Sequence, residues 1–326
     1  MTDEQSPPDT STTDTSTSKT SSSATELLSS KSVSPSNLLF GPEGLRSGWG
    51  FVLYLALVVG LVVFSQKALA PLMHRLNGTL WQDMIGRVVV LLCAVLPAML
   101  MARLEKRPFG LYGLPAGDAL GGKFWYGVIW GFAGLSLLLL AMRSAQVFYF
   151  GGAGLHGMRA LKFAAFWAVF FLLVGFFEEF LFRGYTLFTL SRGVTFWPAA
   201  VALSLLFGGV HLGNKGESWV GALAAAAIGL FFCFTVRRTG TLWFAVGFHA
   251  SWDWAESYLY GVPDSGTSTY GHLLNPSLHG PVWLTGGSVG PEGSLLVFVV
   301  IGILFAVFHA LHAPSASAQL TADSSR

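Results

Sequence analysis

The chain has 326 residues, 52% of them apolar and only 11% charged, with a formal net charge of +2. That balance, with a mean hydropathy of +0.58, excludes an ordinary soluble globular domain. Scattered Lys and Arg in a near-neutral chain argue against a nucleic-acid partner, so an all-α, polytopic bundle embedded in the lipid bilayer is expected.

Residues 1–36 are more than half serine and threonine, with prolines and few branched or aromatic groups. Such a stretch buries too little apolar surface to order itself, so a disordered tail reaching to residue 40 is expected. It lacks the short basic start and apolar core of a signal peptide, and the first span, near Trp49, reads as an uncleaved anchor. Eight apolar segments follow, at 49–65, 87–102, 124–142, 163–190, 196–212, 219–236, 242–258 and 294–310. They predict a bundle of about eight transmembrane helices over 45–312 with a chemical core at 163–258, followed by a short polar tail at 313–326. Cys93 and Cys233 fall inside spans and read as small core residues. Trp125, Trp130, Trp167 and Trp243 read as interfacial anchors.

Eight spans put both termini on one side. The short loops there carry Arg103, Lys106, Arg107, Lys123, Arg192, Arg237 and Arg238. This predicts a cytoplasmic-membrane protein with cytoplasmic termini, although Lys67, Arg75, Arg143, Arg159 and Lys162 fall on the other side. The long loop 256–293 on that other side has no Lys or Arg.

Charge inside the spans needs a reason, because an acid or arginine near mid-membrane costs roughly 2.5 to 3.5 kcal/mol on insertion scales. Glu178 and Glu179 end the apolar run 163–177, with Arg183 just beyond. The fifth segment carries His211, and the seventh carries His249 with Asp253. Glu179 and Arg183, four residues apart, share a helix face and pair, while Glu178 projects about 100° away. The same four-residue spacing puts Phe207 with His211 and His249 with Asp253 on common faces. Gly208, Gly209, Gly247 with Ser251, and the small residues of 221–229 would let these helices approach closely. Lone histidines on apolar faces are more often core residues, and His309 and His312 read that way or as interfacial residues.

EEFLFRG at 178–184, FGGVH at 207–211 and HASWD at 249–253 resemble the EExxxR, FxxxH and HxxxN/D motifs of the CAAX protease and bacteriocin-processing (CPBP) family of intramembrane proteases, which includes the eukaryotic Ras-converting enzyme. The resemblance implies hydrolysis of a peptide bond in a membrane protein or peptide. Glu178 would activate the attacking water with help from His211, while His249 and Asp253 would stabilise the oxyanion. Glu179 and Arg183 would act as supporting groups, or Arg183 would bind a substrate carboxyl terminus. Some members have asparagine where this chain has Asp253, and an ionised aspartate cannot donate to an oxyanion. It must carry a proton or orient His249 instead. A metal-free glutamate mechanism without cofactor is expected. The alternative is a zinc protease with Glu178, His211, His249 and Asp253 as ligands. Two other classes compete: a proton- or ion-coupled transporter, in which Glu, His and Asp form a relay, and a non-catalytic or immunity-type membrane protein.

Overall fold

The computed structural model describes residues 40, 41 and 44–312; apart from Phe40, the predicted tails 1–40 and 313–326 lie outside them. Nine helices carry the architecture of the described residues: α1 (Ser47–Arg75), α2 (Leu80–Leu104), α3 (Gly122–Ser144), α4 (Gly157–Arg183), α5 (Tyr185–Val194), α6 (Phe196–His211), α7 (Trp219–Thr239), α8 (Trp243–Trp254) and α9 (Leu296–Leu311). A π-helical turn, Ala255–Tyr260, prolongs α8. The long segment between this turn and α9 is tied back to the loop after α3, where strands Phe148–Tyr149 and Ser277–Leu278 pair antiparallel.

Local chemistry sets several of these boundaries. Thr79 caps α2 by accepting from Gln82 N, while Gln82 Oε1 accepts from Gly78 N, a reciprocal pair that fixes the helix start. Ser218 caps α7 in the same way, accepting from Gly221 N. Gly240 ends α7 with φ 74°, a left-handed conformation open to glycine at little cost.

All eight apolar segments fold as helix, but the expectation of about eight spans is not met by length. Five helical stretches are long and apolar enough to cross a membrane, with α4 and α5 counted as one. The 16-residue α6 and α9 reach only about 24 Å at 1.5 Å per residue, short of the roughly 30 Å hydrocarbon layer. The 12-residue α8 is shorter still without its π turn. The segment read as one span at 163–190 breaks at Gly184, whose ψ of −120° is not helical.

Outward faces carry Phe64, Ile129, Leu205 and Val299, all exposed. An apolar exterior around a polar interior is what a lipid solvent selects. Of the four tryptophans read as anchors, Trp125 is exposed, but Trp167 and Trp243 are buried. Their indoles donate inward to Tyr270 O (3.3 Å) and Pro115 O (3.1 Å), because a buried N–H needs a partner. Cys93 and Cys233 are buried thiols, as expected.

Glycine brings α3 and α8 together. A side chain at Gly127 or Gly131 of α3 would overlap the backbone carbonyls of Phe244 or Phe248, and one at Gly247 would overlap Phe124 O. The expected close approach at Gly247 is therefore real, and its counterpart is the GVIWG spacing of α3. Gly208 meets Ala222 on α7, whereas Gly209 faces open space. Gly175 seats α4 against α8, where an added Cβ would lie 3.1 Å from Ala250 N and 3.2 Å from His249 Cβ.

Candidate active site

That contact places the end of α4 against the middle of α8, and the polar groups of both helices meet there. Glu179 is fully buried. Its Oε1 accepts from Arg183 Nη1 at 2.8 Å and from His249 Nδ1 at 2.8 Å. Arg183 is also fully buried, with its guanidinium 4.2 Å from the ring centre of Phe207 and 5.5 Å from that of Phe232. The aromatic faces take the place of water around the cation. Gly229 makes the room: a methyl group there would overlap Arg183 Nη2. Arg183 is enclosed in this way and does not line the cavity, and its observed ionic partner is Glu179.

Because Glu179 already takes a proton donor from Arg183, the His249 Nδ1 contact is a donated N–H. This directs Nε2 away from Glu179, and Phe232 stacks on the ring at 5.8 Å and 17°. Nε2 lies 3.6 Å from Glu178 Oε2 and 3.5 Å from Asp253 Oδ2. Glu178 thus stands on a different side from Glu179, as the 100° offset predicts. It is the more open of the two, with 19% side-chain exposure against 0%.

His211 sits at the end of α6 with Nδ1 2.7 Å from Phe207 O and its ring 4.6 Å from that of Phe207. A carbonyl only accepts, so Nδ1 carries the proton and Nε2 the lone pair. Among the described residues no hydrogen bond joins His211 to Glu178, His249 or Asp253. All four line one cavity of about 330 Å³. Its remaining walls include Trp167 and Phe171 of α4 and Ile228 of α7. Asp83 and Arg87 of α2 also contribute, together with Thr267–Tyr270 of the long segment after α8.

The donor set read as a possible zinc site does not fit as placed. Among the described residues, the trio of Asp, Glu, His or Cys whose ligand atoms lie within 4.8 Å of one another is Glu256, Asp264 and Glu292. No three of Glu178, His211, His249 and Asp253 reach that spacing, and zinc bonds of about 2.0–2.2 Å would demand it.

Two features escaped the sequence reading. The Glu179–His249 bond joins residues 70 apart, and nothing local signals it. The second carboxylate group, Glu256, Asp264 and Glu292, borders the cavity through its last two members. The one sequence signal was the lack of Lys and Arg in 256–293. Burial raises the Asp264 carboxyl well above the usual carboxylate range, with Asp253 and Glu292 adding to the shift. Burial likewise raises Glu217, in the loop between α6 and α7.

Residues 160–255 match the family model of the type II CAAX prenyl endopeptidase, Rce1-like. The matched segment contains all three motifs and bears out the resemblance read from them. No curated protein and no solved structure matches the chain. The helical, lipid-faced architecture marks the chain as an integral membrane protein, and the matched segment is similar to CAAX-type endopeptidases.

Proposed function

We propose that the chain is an intramembrane endopeptidase in which Glu178 is the general base, with a membrane protein or peptide as substrate. The observation that carries this reading is the division of labour between the adjacent glutamates. Glu179 is sealed in the protein and orients His249, while Glu178 opens on the cavity shared with His211, His249 and Asp253.

In this reading Glu178 removes a proton from water as its oxygen bonds to the scissile carbonyl carbon, and His211 Nε2 accepts a second hydrogen bond from that water. The carbonyl oxygen takes the electron pair and is met by His249 Nε2–H, whose charge Asp253 and Glu179 balance. The C–N bond then breaks, and the proton held by Glu178 passes to the leaving nitrogen. The spacing of the donor set supports a cofactor-free route over the zinc alternative.

Orientation follows from the basic loops. Arg107 and Arg192 meet Glu105 at 3.8 and 3.1 Å, and Arg237 lies 4.9 Å over the Phe196 ring, so these loops gather on one face. Ser47 at the start of α1 lies against Gly193 and His309 near the end of α9 meets Arg238, so the excess of basic residues supports placing that face and both described ends in the cytoplasm, with the protein in the cytoplasmic membrane.

The test is a comparison of membrane-derived peptides from cells carrying the wild-type chain and cells carrying Glu178→Ala. Cleavage products that vanish in the variant are expected. Identical peptide pools, with equal amounts of both proteins in the membrane, would defeat the proposal.

A further inference from the structure

At the edge of the cavity, three carboxylates from three separate segments converge, two of them in its lining. Glu256 comes from the π turn after α8, Asp264 from the segment that follows, and Glu292 from the 3₁₀ turn Pro291–Gly293 that leads into α9. One oxygen from each lies within 4.8 Å of the others. Asp264 Oδ2 accepts from Ser257 Oγ at 3.2 Å. Glu292 accepts from Trp252 Nε1 at 3.0 Å and from Ser265 N at 3.1 Å. Those neutral donors fix the two carboxylates in place without cancelling their charge.

Glu256 is the independent observation. Its side chain is fully buried, and neither of its carboxylate oxygens has a hydrogen-bond partner. Buried acids normally find a donor or a cation, because an unpaired one costs several kcal/mol in a low-dielectric interior. Among the described residues, no Lys or Arg forms an ion pair with any of the three.

We propose that Glu256, Asp264 and Glu292 form a Ca²⁺ site. The ligands are all oxygen, which suits hard cations and disfavours zinc. Three carboxylates brought from three separate segments suit Ca²⁺, which accepts mono- or bidentate carboxylates in an irregular shell, over Mg²⁺, which keeps its waters and demands an octahedral one. Bound there, the ion clamps the π turn to the start of α9 and holds the long segment that forms one wall of the cavity. This site is separate from the groups assigned to peptide hydrolysis, so it stands or falls independently of that assignment.

The experiment uses the purified full chain in detergent micelles, stripped of divalent cations and dialysed against radioactive Ca²⁺. Saturable binding of one Ca²⁺ per chain is expected, tighter than Mg²⁺ measured by competition. Ca²⁺ should also raise the unfolding temperature of the wild type, and EGTA should reverse the shift. Glu256→Gln keeps size and removes charge, and is expected to weaken Ca²⁺ at least about 10-fold, since charge count sets affinity at such sites. Circular dichroism checks the fold of the variant, and Asp264→Asn replaces it if it does not fold. Wild-type protein that binds no Ca²⁺ at millimolar concentration overturns the proposal. So does an affinity for Mg²⁺ equal to that for Ca²⁺, or binding that survives both substitutions. A Glu256→Gln chain that is more stable than a Ca²⁺-indifferent wild type would show instead that the carboxyls share protons.

Discussion

Two groups of carboxylates lie close together in this interior, and they are neutralised differently. Around His249, the acids Glu178, Glu179 and Asp253 meet Arg183 and the imidazole itself, so charge of both signs is present. Around Glu256, the acids Asp264 and Glu292 meet only an indole N–H, serine groups and a backbone amide. The first group carries its own counter-charges within the protein, although Glu179 Oε2 and Arg183 Nε and Nη2 lie buried without a hydrogen-bond partner, and its geometry reports on chemistry. The second is incomplete without a proton or a cation, and its geometry reports on what it binds. Burial alone therefore does not identify a reactive acid; the partners of each oxygen do.

The comparison is broken most forcefully at Arg183. Arg183→Met keeps an unbranched apolar stem but leaves Glu179 buried without its cation, and a loss of about 3–5 kcal/mol in stability is expected. Denaturant unfolding in micelles measures it. A change below about 1 kcal/mol would mean that the aromatic cage, and not the charge, holds this region together.

Glu178→Gln comes next. Removing the base while keeping the size of the side chain should lower proteolysis at least about 100-fold, the scale of general-base catalysis, with stability nearly unchanged. The assay is cleavage in reconstituted vesicles. Full activity there removes Glu178 from the mechanism.

A steric test sharpens the same contrast. Gly229→Ala pushes a methyl group into Arg183 and should cost about 1–3 kcal/mol, the usual penalty of overpacking. Gly209→Ala, which meets nothing within 4 Å, should be neutral or slightly stabilising because alanine favours helix. Thermal unfolding of the pair measures the difference, and equal transitions would contradict the tight seating of Arg183.

The smallest effect is expected at Asp253. Asp253→Asn should be tolerated within a few-fold in a metal-free glutamate protease, since asparagine supplies a donor to the oxyanion. Elemental analysis accompanies the cleavage assay. Stoichiometric zinc in the wild type, lost with activity in the variant, would replace the proposed mechanism by a metal-dependent one.

Much of the first carboxylate group was legible in the sequence. Helical spacing alone paired Glu179 with Arg183 and turned Glu178 to another side, because those relations lie within one helix. The membrane character was legible for a similar reason, as hydropathy is local. The tie from Glu179 to His249 was not, since it depends on how α4 docks against α8 at Gly175. Helix lengths were misjudged where apolar composition continued through a break, as at Gly184 between α4 and α5. Trp167 and Trp243 were misplaced because an indole at a span end looks the same whether it faces lipid or a buried carbonyl. The second carboxylate group was spread over a loop that sequence patterns do not order, and only its missing basic residues hinted at it.

The contact of α3 with α8 has a mechanical consequence. Where glycines let two backbones touch, neither helix can slide or rotate without driving side chains into carbonyl groups. His249 and Asp253 ride on the helix seated in this way, so half of the cavity works as an anvil. Admission of a long, flexible guest then falls to the opposite wall, where Thr267–Tyr270 belong to a segment of turns and short bridges instead of packed helix, tied to α4 through Trp167 Nε1 and Tyr270 O. A cross-link between that segment and α4 should therefore stop turnover of long peptides before that of short ones, and the same cross-link between α3 and α8 should leave both unchanged.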